Sequence, residues 1–79
     1  MAQFPRVKCR QLVAVLEQLG YALHRQKGSH RHFAAPGKPR ITISHADGDD
    51  VAPGLCRKVL THEAGLTEDE AIRLLGKRR

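Results

Sequence analysis

The chain has 79 residues, 41% of them hydrophobic, and carries 14 Lys and Arg against 8 Asp and Glu, for a formal net charge of +6. That length supports one compact domain over residues 1–79 and leaves no room for a second core or an enclosed cofactor pocket, so no cofactor is expected. No apolar run approaches the roughly 20 residues of a spanning helix and no apolar leader opens the chain, which excludes a membrane protein, predicts a cytoplasmic one and leaves the basic excess to favour polyanionic partners.

From Lys8 to Leu19, the residues Cys9, Leu12, Val15, Leu16 and Leu19 recur at helical spacing, with Lys8, Arg10, Gln11, Glu17 and Gln18 outside the stripe. This predicts an amphipathic helix capped by Gly20. Residues 21–25 then alternate in the manner of a half-buried strand, with Tyr21 and Leu23 expected to face the helix. Lys27-Gly28-Ser29 reads as a tight connection, since glycine supplies the positive φ that hairpins often demand.

A second strand, residues 30–34, places His30, His32 and Ala34 on one face and Arg31 and Phe33 on the other. Phe33 is the natural core residue, so the histidines are expected to face outward. Pro36-Gly37 suits the centre of a type II turn, and residues 40–44 resume strand-like alternation with Ile41 and Ile43 inward. The acidic Asp47-Gly48-Asp49-Asp50 stretch reads as a loop leading into a second helix, with its stripe through Leu55, Cys56, Val59 and Leu60.

Gly65 closes that helix, and Thr67-Glu68-Asp69-Glu70 has the pattern of a capping box ahead of a short helix through Ala71, Ile72, Leu74 and Leu75. The Gly76-Lys77-Arg78-Arg79 tail is short and basic and reads as a solvated terminus. Cys9 and Cys56 stand among apolar helical neighbours in no Cys-x-x-Cys pair and read as small buried hydrophobes of a reducing compartment. The element order predicts an α+β fold in which a three-stranded antiparallel sheet has its helices packed on one face and its other face free.

The chemistry is concentrated between Arg25 and Phe33, where two histidines lie among Arg25, Lys27 and Arg31 at a turn-strand junction. Histidine has an unperturbed pKa of about 6.5 and supplies both base and acid forms near neutrality, while Lys and Arg neutralise charge that builds on a phosphate. RNA brings its own nucleophile, the 2′-hydroxyl, so such a surface can cleave it without metal. A zinc or copper site built from His30, His32 and His24 or His45 is the rival reading. The local cations and the lack of a carboxylate in the same strand oppose it, and no metal is expected.

The stretch Gln26-Lys27-Gly28-Ser29-His30-Arg31-His32-Phe33 resembles the Gly-Ser-His-x-x-aromatic signature of HicA toxins, also called YcfA-like proteins. The helix ending Leu19-Gly20-Tyr21, the strand Ile41-Thr42-Ile43 with His45, and the helix ending Ala64-Gly65-Leu66-Thr67 follow in that family's order. Ser44 and Gly54-Leu55 depart from a frequent proline and a Gly-Thr opening at the equivalent places. The resemblance implies a double-stranded-RNA-binding-like fold, a toxin that cleaves mRNA as an endoribonuclease, and neutralisation by an acidic HicB-type antitoxin. It assigns the catalytic role to His30. Lys27, Ser29, Arg31, Arg25 and His32 are the expected RNA contacts, His32 having a second acid-base role as its alternative. A non-catalytic RNA-binding module using the same basic surface is the rival function.

Overall fold

The computed structural model describes residues 4–76, so the last three residues of the basic tail, 77–79, lie outside the described residues. In chain order the elements are β1 (Val7–Lys8), α1 (Cys9–Gln18), β2 (Ala22–Lys27), β3 (His30–Ala34), β4 (Ile41–Ile43), β5 (Asp50–Val51), α2 (Pro53–Arg57), a π-helical continuation (Lys58–Glu63) and α3 (Glu68–Gly76). Strands β2, β3 and β4 form an antiparallel meander in that order, and β1 pairs separately with β5. The fold is α+β and double-stranded-RNA-binding-like, as expected. The β1–β5 pair is an addition that alternation could not reveal, because two-residue strands carry no period.

The helix stripes close on one face of the meander. Cys9, Leu12, Val15 and Leu16 of α1, Cys56 of α2, Val59 and Leu60 of the π-helical turn, and Ala71 and Leu75 of α3 are buried with Phe33, Ile41 and Ile43 of the sheet. Tyr21 is buried just before β2, its hydroxyl donating to the Pro39 carbonyl at 3.0 Å. Leu23 lies on the α1 side as expected, bordering a cleft with Val13 and Phe33, yet half of it is exposed. The reason is its place on β2, an edge strand that α1 covers incompletely.

The punctuation follows its sequence signals closely. Gly20 has φ +95°, and the Tyr21 amide donates to the Leu16 carbonyl, which ends α1 on a left-handed residue. Gly37 has φ +73° with the Lys38 amide returning to the Ala35 carbonyl, the type II turn read from Pro36-Gly37. The Thr67 hydroxyl accepts from the Glu70 amide at 3.1 Å, while a Glu70 carboxylate oxygen accepts from the Thr67 amide at 3.0 Å. The Thr67 amide, and after it the Thr67 side chain, holds the Glu70 carboxyl below its ordinary pKa.

Both cysteines are buried free thiols. Burial pushes the Cys56 thiol up to about 11, and burial likewise raises Cys9 against the partial pull of Arg31.

Because Phe33 is 2% exposed and Leu23 is 50% exposed, truncating them should have unequal effects. Phe33→Ala is expected to remove about 3–5 kcal/mol, a large share of the ~4–12 kcal/mol available to a domain this size. Leu23→Ala is expected to remove less than about 1 kcal/mol. Urea midpoints measure both, and equal losses would mean that the sheet is packed differently from this account.

Candidate active site

The site begins with a turn. Gly28 and Ser29 alone connect β2 to β3, and Lys27 is paired directly with His30. Gly28 has φ +60° while no non-glycine residue among those described has positive φ, so the positive φ comes first in the loop, as in a type II′ turn. A Cβ at Gly28 would meet nothing within 4 Å, so the demand for glycine is conformational rather than steric. The Gln26 side-chain amide donates to the Gly28 carbonyl at 3.1 Å and closes the loop over itself.

The register then shifts. Leu23 pairs with Phe33 but Arg25 pairs with His32, so one step along β3 corresponds to two along β2, with a bulge at His24. Directly paired residues of an antiparallel ladder share a face. Leu23 therefore lies with Phe33 on the helix-facing side, and beyond the bulge Arg25 and Lys27 lie with His32 and His30 on the open side. Simple alternation from Leu23 would have sent both cations inward. The bulge assembles the outer face.

That face is cationic without relief. His30 is exposed at the first position of β3, with Lys27 across from it and Arg25 across from His32. Neither β2, β3 nor β4 contains an Asp or Glu. His32 is partly buried, and its Nδ1 lies 3.0 Å from the Thr42 hydroxyl on β4, the residue paired with it. Sequence reasoning misses Thr42, because its place beside His32 follows from register and from no local pattern.

Arg31 points the other way. Its guanidinium donates to Asp47 Oδ1 at 2.8 Å, to the His45 carbonyl at 2.8 Å and to the Cys9 thiol at 3.5 Å, and its side chain is only 16% exposed. Asp47 in turn accepts the Arg10 amide on its carbonyl, and the Asp49 carbonyl accepts from Cys9 at the start of α1. Asp50 pairs with Lys8 at 2.9 Å, a contact that lowers its carboxyl pKa. The acidic loop thus engages its carbonyls with α1 and its carboxylates with Arg31, Lys8 and its own Ala46 amide, away from the open face.

Ser29 lies in the turn and borders a cleft of about 280 Å³ with Gln26, Arg31, His45, Ala46 and Asp47. It stands at the rim between the two faces. Of the expected contacts, the structure brings Arg25, Lys27, His30 and His32 together, sets Ser29 at their edge and turns Arg31 away. Among the described residues, no three His, Cys, Asp or Glu side chains are grouped to hold a metal ion.

Arg31 has three partners where Asp47 has an exposed ion pair, so the two should differ on removal. Asp47→Ala is expected to cost below about 1 kcal/mol, the range of exposed ion pairs. Arg31→Ala, which also strips the His45 carbonyl of its charged donor, is expected to cost about 2–3 kcal/mol. Chemical denaturation of the single and double variants measures this. Equal losses would reduce the role of Arg31 to its ion pair.

Residues 9–66, well over half of the chain, match a family model described as the HicA toxin of bacterial toxin-antitoxin systems, while neither curated proteins nor solved structures return a match. The matched span runs from the start of α1 through the hairpin that carries Lys27 and His30 to the loop after the π-helical turn. The chain belongs to the HicA toxin family of toxin-antitoxin systems.

Proposed function

We propose that this toxin is a metal-independent endoribonuclease that cleaves mRNA in the cytoplasm, with His30 as its catalytic residue. The observation that carries the reading is the exposed imidazole of His30 on a carboxylate-free sheet face, paired with Lys27 and two residue pairs from Arg25. An RNA strand laid on this face meets fixed positive charge at its phosphates, and the 2′-hydroxyl beside the bound phosphate supplies the nucleophile. His30 takes its proton, O2′ attacks phosphorus, and the chain leaves a 2′,3′-cyclic phosphate and a 5′-hydroxyl. The same cations repel a divalent ion, which is the physical support for metal independence.

Arg25, Lys27, Ser29 and His32 serve as RNA contacts in this reading. Arg31 would have to release Asp47 and the His45 carbonyl to reach a phosphate, so we assign it to holding the loop beneath the sheet. Neutralisation follows from the same charge: an acidic antitoxin of the HicB type covers the open face and excludes RNA. No helix among the described residues is long and apolar enough to cross a membrane.

A non-catalytic RNA-binding role is the second reading, favoured by the double-stranded-RNA-binding-like fold itself. His30→Ala separates the two. Cleavage should fall by at least about 10²-fold, as expected for loss of an acid-base group, while RNA affinity is largely kept. Cleavage should also persist in EDTA and vanish on RNA methylated at the scissile 2′-oxygen. No cleavage by either form would leave only the binding role, and intact cleavage by the His30 variant would take the catalytic role away from His30.

Salt tests the contacts independently. Replacing Lys27 by Ala should flatten the plot of log affinity against log salt by about 0.7, the counterion release of one phosphate contact on a single strand. An unchanged slope would remove Lys27 from the RNA path and leave His30 in place.

A further inference from the structure

The cleavage step needs two proton transfers, one from O2′ and one to O5′, and the His30 imidazole accounts for the first. We infer that His32 is the general acid that protonates the leaving O5′, with Thr42 as its positioning residue. This rests on the endoribonuclease reading above and adds to it the second acid-base group.

Three observations carry it. His30 and His32 are two residues apart on β3 and so share the open face, with Cα atoms about 7 Å apart at the rise of an antiparallel strand. That spacing sets one imidazole toward each side of a single phosphodiester. Second, among the described residues the one side-chain hydrogen bond to either ring is the 3.0 Å contact from His32 Nδ1 to Thr42 Oγ1. It fixes the ring through Nδ1 and leaves Nε2 as the reacting nitrogen.

Third, the partner is a hydroxyl. Thr42 Oγ1 accepts from Nδ1–H while His32 is cationic and goes on accepting once Nε2 has given up its proton, because the neutral ring then keeps its hydrogen on Nδ1. The ring is held in one orientation through both halves of a proton-transfer cycle. A carboxylate partner would stabilise the cation and make Nε2 a weaker acid, whereas the neutral hydroxyl holds the ring without that charge.

The step balances. The O2′–P bond forms as P–O5′ breaks, the O2′ proton passes to His30, and the Nε2 proton of His32 passes to O5′. Water then takes the proton from His30 and returns one to His32. The charged groups facing His32 are Arg25 from β2 and, two pairs along, Lys27; within β3 its neighbour on the face is His30, and β4 contributes Thr42 with no charge.

The test replaces the leaving oxygen. An RNA cut at a mapped linkage is remade with a 5′-bridging sulfur there, a thiolate that departs without a proton. On the oxygen substrate His32→Ala should lose at least about 10²-fold in kcat, and on the sulfur substrate it should recover most of that loss. His30→Ala should stay inactive on both. Thr42→Val should lower kcat with little change in KM and also be relieved by sulfur, while Thr42→Ser restores the oxygen reaction.

Thermal melts of all variants separate this from unfolding, since a misfolded protein gains nothing from the sulfur linkage. A His32→Ala variant as fast as the parent on oxygen, or equally slow on both substrates, would overturn the assignment with His30 still required. If His30→Ala also cleaves normally, the endoribonuclease reading itself fails at this face.

Discussion

The arrangement depends on the register of one hairpin. With only Gly28 and Ser29 between them, β2 and β3 can pair in one way, and Lys27 must sit opposite His30. Every later assignment of faces follows from that pair and from the bulge at His24. Phe33 enters the core beneath α1, and His30 and His32 stand on the other side with Arg25 and Lys27. A slip of one residue would bury the histidines and expose Phe33, which couples folding to the integrity of the site.

Charge is sorted by the same architecture. A basic protein of this size carries its few carboxylates where they would compete for its own cations. Here Asp47, Asp49 and Asp50 are tied into the loop between β4 and α2, through Arg31, Lys8 and the first amides of α1. Arg31 is the cation that makes this sorting possible. It sits between two histidines in sequence and belongs to the opposite face, where it fastens the acidic loop to the underside of β3. The outer face keeps its positive potential because the inner one has absorbed the negative charge.

Much of this was legible in the sequence, and the parts that were not share a cause. The stripes of α1 and α3, the glycine cap at Gly20, the turn at Gly37 and the capping box at Thr67 depend on neighbours within a few residues, so local pattern finds them. The outward facing of His30 and His32 follows from Phe33 by a period of two. The position of Arg25 and Lys27 does not, because the bulge is a property of the pairing between two strands. The Thr42 contact, the β1–β5 pair and the inward partners of Arg31 likewise join residues distant in sequence. The π-helical turn at Lys58–Glu63 keeps Val59 and Leu60 buried, so the stripe reads correctly although the hydrogen bonding differs from an α-helix.

The central claim is that RNA lies on the open sheet face and not in the clefts around α1. Side-chain NMR of the protein titrated with a 2′-O-methyl RNA, which binds without being cut, reads this directly. The imidazole signals of His30 and His32 and the side-chain signals of Arg25 and Lys27 should shift together, while the Arg31 guanidinium and the methyls of Val13 and Leu23 stay in place. Shifts confined to Arg31, Val13 and Leu23, with the two imidazoles unmoved, would contradict it.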